Sequence, residues 1–126
     1  MLGHHAIDVV LEVVDFEDAR AFYQRIGLEI VRDASDAGAI EFAAGTDSRL
    51  VIKHTPDRGL DERTTASWRV DDLPATVALL RERGIEPLDY DLPGLKTENG
   101  IADLGFADLA WIADPSNNVI GLAQYR

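Results

Sequence analysis

Val13–Glu29, VVDFEDARAFYQRIGLE, and Val70–Glu86, VDDLPATVALLRERGIE, align at a constant offset of 57 residues. The alignment brings together Val13 and Val70, Asp15 and Asp72, Ala21 and Ala78, Gly27 and Gly84, and Glu29 and Glu86. The matched residues include those that start and stop a helix. An aspartate before an apolar-periodic run accepts hydrogen bonds from the first free N–H groups, and a glycine after it adopts the left-handed conformation that closes the last turn. Asp18, three residues after Asp15, adds a carboxylate to the positive end of the first helix. Between these signals Phe16, Ala19, Phe22, Tyr23 and Ile26 fall at helical spacing, as do Leu73, Val77 and Leu80, so each helix carries one apolar stripe. An internal repeat is therefore the first fact of the chain.

Each copy is preceded by a strand pattern. Val9, Leu11 and Val13 alternate with Asp8, Val10 and Glu12; Ala66, Trp68 and Val70 alternate with Thr65, Ser67 and Arg69. Further strand-like runs follow each helix: Leu28–Arg32, Ala39–Ala43 and Leu50–Thr55 in the first copy, and Ile85–Tyr90, Gly105–Ala113 and Val119–Gln124 in the second. Gly38, Gly45, Asp47 and Ser48 punctuate the first set, and Asp114-Pro115-Ser116-Asn117-Asn118 is a turn signal in the second. The order is βαβββ twice. The expected fold is α+β, with tandem βαβββ modules over about 6–56 and 64–126 of one domain, 1–126, forming a cupped mixed sheet. A module of this size does not close a core alone, so the two are expected to pair their sheets, within the chain or across a dimer.

At 126 residues, with 46% hydrophobic and 28% charged residues, the composition is that of an ordinary globular domain. The net charge of −11 and the lack of a basic patch argue against nucleic acid and anionic membrane surfaces as partners. The absence of cysteine removes disulfides, thiolate metal sites and cysteine nucleophiles, and fits a reducing cytoplasm. No run has the length of a membrane span or the pattern of a secretion signal, so a cytoplasmic location is expected. Neither a nucleophile elbow, a phosphate loop nor a dinucleotide fingerprint occurs.

The tandem βαβββ order, the opening VVDFEDARAFYQRIGLEI and the closing WIADPSNNVIGLAQ together resemble the vicinal oxygen chelate superfamily, which includes glyoxalase I, bleomycin-resistance proteins and extradiol dioxygenases. The resemblance runs from about Asp8 to Gln124. The stretch YDLPGLKTENGIADLG is similar to the long connection that runs beside the cavity mouth in many short bacterial members. In metal-using members the resemblance implies four inward ligands, usually His, Gln or Glu, from the first and last strands of each module, holding a divalent ion that chelates vicinal oxygens of the substrate. Carried over position by position, these ligands fall on Asp8, Lys53, Thr65 and Gly121. Only Asp8 could bind a metal. A lysine ammonium opposes a divalent cation, and glycine offers no donor atom, so no metal and no cofactor is expected. His54 alternates onto the helix side of its strand and His4 lies near the chain start, so neither histidine is expected to restore a site.

Strand alternation points Asp8, Val10, Glu12, Val51, Lys53, Thr55, Thr65, Ser67, Arg69, Gly121 and Ala123 into the cup. Asp8, Glu12, Lys53, Ser67, Arg69 and Trp111 form the expected ligand-binding set, with no catalytic residue assigned. The acids would receive a cation or hydroxyl, Lys53 and Arg69 an anionic group, and Trp111 an aromatic ring. The charged members could equally neutralise one another as structural ion pairs, and Trp111 could equally be packing. Trp68 is expected in the core beneath the second helix.

The leading functional expectation is a metal-independent binding protein, similar to the bleomycin-resistance branch, sequestering a cationic or aromatic small molecule as a homodimer. The alternative is a lyase, isomerase or dioxygenase of the same superfamily with an unconventional metal-ligand set, or a metal-free variant with Lys53 working against Asp8 or Glu12. A purely structural or protein-interaction module would instead have a collapsed cup.

Overall fold

A computed structural model describes residues 1–57, 59 and 64–126. The chain divides into two compact units, Met1–Leu60 and Asp61–Arg126. The joint between the two repeats falls largely outside the described residues.

In the first unit, β1 (Asp8–Val13) leads into α1 (Phe16–Arg25), followed by β2 (Glu29–Ala34), β3 (Ala39–Ala44) and β4 (Ser48–His54). The sheet order is β1-β4-β3-β2. β1 lies parallel to β4, and the two other pairings are antiparallel. The parallel pair needs a crossover, and the β1–α1 segment begins it. Asp15 caps α1 by accepting the Asp18 N–H at 3.0 Å. Gly27, at φ 102°, closes it in a Schellman arrangement, with the Leu28 N–H on the Tyr23 carbonyl and its own N–H on that of Gln24. Ala19, Phe22 and Tyr23 bury the helix stripe against Leu11, Val13, Ile40, Phe42, Leu50 and Ile52, while Phe16 and Ile26 are half-buried at its ends. Each large apolar side chain so covered contributes about 1.5–3 kcal/mol.

The second unit repeats this arrangement with one replacement. β5 (Thr64–Arg69) leads into α2 (Leu73–Glu82); β6 (Asp91–Leu92), β7 (Leu95–Lys96), β8 (Ala102–Asp103), β9 (Ala107–Ala113) and β10 (Val119–Tyr125) follow. The sheet order β5-β10-β9-β8 matches that of the first unit, with β5 parallel to β10. Asp72 caps α2 through the Ala75 N–H at 3.1 Å, and Gly84, at φ 80°, closes it as Gly27 closes α1. The Gln124 side chain accepts the Leu73 N–H at 2.7 Å, tying the helix start to β10. Leu73, Val77 and Leu80 are buried, as the stripe requires.

The expected strand Ile85–Tyr90 does not form. Pro87 has no N–H to donate and so weakens a ladder there, and the segment makes a single backbone bond to β9, from Leu88 N–H to the Trp111 carbonyl at 2.7 Å. The two-residue β8 takes the place beside β9, and β6 and β7 form a small separate hairpin. Pro87 packs instead on Gly100: a Cβ there would lie 2.4 Å from Pro87 Cγ, and Gly100 has φ +80°, so the position excludes any side chain. The expected strand start at Gly105 also moves to Ala107, because Gly105, at φ +86°, turns the chain and donates its N–H to Asp103 Oδ1. Trp68 faces the helix side with Ile120 and Leu122 but is half-buried rather than enclosed.

Candidate functional site

Each sheet has one face covered by its helix; on the other face the β1 row of the first sheet is exposed, whereas in the second sheet Gly121 and Ala123 on β10 are buried, Trp111 is half-buried under Tyr90, and Ser67 and Arg69 on β5 are exposed. In the first unit the uncovered row on β1 is Asp8, Val10 and Glu12, all exposed, alternating with Val9, Leu11 and Val13. The parallel register sets Asp8 opposite Arg49, Val10 opposite Val51 and Glu12 opposite Lys53. Of the expected binding residues, Glu12 and Lys53 therefore stand opposite one another, and Asp8 lies in the same row at the other end of β1, four residues or about 13 Å away. The row holds three further charged residues, Arg49, Glu41 and Arg32. Arg49 shares the row with Lys53, which the alternation of β4 would have disclosed had it been followed two residues towards the strand start. Glu41, opposite Val51, accepts from Arg32 Nε at 3.1 Å, an ion pair between β3 and β2. His54 lies on the helix side as expected, its ring 5.1 Å from that of Phe16 and its Nε2 3.1 Å from the Val14 carbonyl oxygen.

In the second unit the register sets Ser67, Gly121 and Trp111 in one line across β5, β10 and β9, and Arg69, Ala123 and Leu109 in the next. Ser67, Arg69 and Trp111 thus share the uncovered face. The Arg69 guanidinium carbon lies 4.9 Å from the centre of the Tyr125 ring, and Trp111 meets Tyr90 edge to face at 5.2 Å. Tyr125 is two residues beyond Ala123 in the same row and was legible by alternation. Tyr90 comes from the irregular connection after α2, where no periodic signal exists. Thr65 is displaced by a register shift between Val119 and Ile120, and its hydroxyl donates to the Val119 carbonyl at 3.1 Å, so it is a backbone partner rather than a free cup residue.

The residues at the positions of the implied metal ligands do not fit a metal. A Cβ at Gly121 would lie 3.0 Å from Ser67 Oγ, 3.3 Å from Ser67 Cβ and 3.4 Å from Thr64 Cγ2. Ser67 fills the space from which a side chain at 121 would project. Lys53 brings a cation, and Thr65 is engaged with the backbone. Among the described residues, no group of three or more His, Cys, Asp or Glu side chains could hold a metal ion.

The closing turn is a structural device. Asp114, only 3% exposed, accepts the N–H groups of Ser116 and Asn118 and the Asn118 side-chain amide, each at 2.8 Å. Asn117 takes the left-handed conformation at φ 65°. Two other carboxylates are held below the ordinary range of aspartate. For Asp33 the causes are the hydroxyl and N–H of Ser35, then Arg20; for Asp103, Arg126 and then the Gly105 N–H. A shallow concavity of about 250 Å³ in the second unit is lined by Lys96, Glu98, Ile101 and Asp103, none of them in the expected binding set.

No protein-family model matches the chain, and no curated protein matches it. Solved structures do match it over nearly the whole length. TnmS3, an antibiotic binding protein from Streptomyces sp. CB03234, is 28% identical, with 97% of this chain and 96% of that chain covered and a TM-score of 0.67. A bleomycin resistance determinant encoded on the transposon Tn5 is 27% identical, covering 95% and 97%, with a TM-score of 0.70. A glyoxalase/bleomycin resistance protein/dioxygenase from Alicyclobacillus acidocaldarius is 20% identical, covering 95% and 90%, with a TM-score of 0.69. No helix among the described residues is long and apolar enough to cross a membrane.

Proposed function

Since this chain belongs to the vicinal oxygen chelate superfamily and has the glyoxalase/bleomycin-resistance fold, we propose that it is a metal-independent small-molecule-binding protein that acts by sequestration. The observation that carries this reading is the interlock of Gly121 with Ser67, which removes the side chain that would close a metal site. Lys53 at a second ligand position adds a charge opposed to a divalent ion. Two solved structures above 25% identity, an antibiotic binding protein and a bleomycin resistance determinant, support binding over turnover. The residues offered for contact are Asp8, Glu12 and Lys53 on the open face of the first sheet, and Ser67, Arg69 and Trp111 on that of the second. The working form is proposed to be a homodimer.

A thermal-shift screen of cationic, neutral and anionic aromatic compounds tests the reading. A ligand that binds only the folded state stabilises it by mass action, by about 2.7 kcal/mol at a hundredfold excess over Kd. At least one compound class is expected to raise the melting temperature by the same amount with and without EDTA, with no product formed. Stabilisation abolished by EDTA, or product formation dependent on added metal, would overturn it.

A further inference from the structure

The two open faces differ in charge, although each belongs to a copy of the same repeat. That of the first sheet carries Asp8, Glu12, Glu41, Arg32, Arg49 and Lys53. The strands of the second sheet contain two acids, Asp103 and Asp108, in register with each other in the row that alternates away from Leu109 and Trp111. Both bind Arg126, whose guanidinium is 2.8 Å from Asp103 Oδ1 and 2.5 Å from Asp108 Oδ1. The open face of the second sheet is therefore free of strand carboxylates in a chain with 23 acidic residues.

Its one cation among the described residues is Arg69. Among the described residues Arg69 makes neither a hydrogen bond nor an ion pair; its contact is the stack on Tyr125. A guanidinium lying over an aromatic ring has its N–H groups left for another partner, and its planar fork matches the two oxygens of a carboxylate. Trp111 stands diagonally across β10 from Arg69, two strand spacings or about 10 Å away in the pairing direction. Its indole is half-exposed and steadied edge-on by Tyr90. Between the two, Ser67 is exposed beside Gly121, which has no side chain to screen the hydroxyl.

Resting on the small-molecule-binding reading, we propose that the open face of the second sheet takes a planar aromatic carboxylate, its ring against Trp111 and its carboxylate on the Arg69 fork, with Ser67 donating to a polar substituent. Of the cationic and aromatic classes, this face selects the aromatic one and rejects cations. The negative charge of the whole chain slows the approach of such a ligand, an effect that added salt screens, whereas the short-range fork decides affinity.

The test is calorimetry on the full chain with three probes of one shape: 2-naphthoate, 2-naphthamide and 2-naphthylmethylammonium. 2-Naphthoate is expected to bind about tenfold or more tightly than either of the others, the scale of one bidentate charge-assisted contact. Arg69→Gln is expected to bring carboxylate and amide within about twofold of each other, and Arg69→Lys to restore part of the preference. Trp111→Leu, checked for folding by circular dichroism, is expected to weaken all three probes. A preference for the ammonium probe, or a carboxylate preference that survives Arg69→Gln, would overturn the assignment and leave small-molecule binding standing. So would no binding of the three probes alongside stabilisation by other compounds in the thermal-shift screen. Silence in both experiments would overturn the binding reading as well.

Discussion

At the scale of the residue, the fit of Gly121 against Ser67 is a steric statement with a sign. A methyl at 121 would meet Ser67 Oγ at 3.0 Å and Ser67 Cβ at 3.3 Å; rotation of the hydroxyl relieves the first contact and not the second. Gly121→Ala is expected to cost about 1–2 kcal/mol in urea unfolding, and Ser67→Gly in the same chain to recover most of it, since residues in contact are not additive. Equal losses in both backgrounds would show that the two do not touch. Gly100 carries a larger penalty, because its left-handed φ and the approach of Pro87 both exclude a Cβ. Gly100→Ala is expected to destabilise by about 2–4 kcal/mol, measured the same way. Gly121 could be read from the sequence as an absent ligand but not as a packing partner, because what fills the space of a missing side chain depends on the neighbouring strand. Arg49 and Tyr125 were within reach of simple alternation, whereas Tyr90 and the engaged hydroxyl of Thr65 depend on an irregular loop and a register shift that no period encodes.

At the scale of the element, the repeat was legible because its signals are local. Asp15 and Asp72 cap, Gly27 and Gly84 close, and the helices begin at Phe16 and Leu73, the same 57 residues apart. Replacing either cap with alanine is expected to cost about 1 kcal/mol, read as a lower urea midpoint at unchanged m-value. The strand expected at Ile85–Tyr90 failed where a local rule was underweighted: Pro87 sits in the middle of the run, and the vacant pairing position passed to β8. The turn after β9 depends on one carboxylate, so Asp114→Ala leaves buried N–H donors without their acceptor and is expected to cost about 2–4 kcal/mol. Asp33 and Asp103 give the pH dependence. Both are depressed below the ordinary value of 3.8 in the folded chain, so their contribution is present above that value and fades as pH falls through the folded pKa. The double variant Asp33→Asn, Asp103→Asn is expected to lose less stability between pH 6 and pH 3 than the parent; an equal loss would locate the acid sensitivity elsewhere.

At the scale of the whole molecule, two units, each with a four-stranded sheet and a single α-helix, carry nearly equal parts of the −11 charge. The proposed dimer has a mass of twice the 13.8 kDa chain, and sedimentation at micromolar concentration is expected to find it; a species at 13.8 kDa would exclude it. The α+β class and the repeated helix-and-sheet order were legible from the repeat and the closing turn, apart from the strand expected at Ile85–Tyr90, whereas the ligand was not, because it is recognised by a side-chain pattern that the repeat does not preserve. The proposed metal independence rests on Lys53 and Gly121 at two of the implied ligand positions, with Ser67 packed against Gly121. The most direct measurement is the elemental metal content, per chain, of untagged protein purified without chelators. A content near zero for zinc, iron, manganese and nickel is the expected result, and one equivalent of any of them per chain would contradict the account.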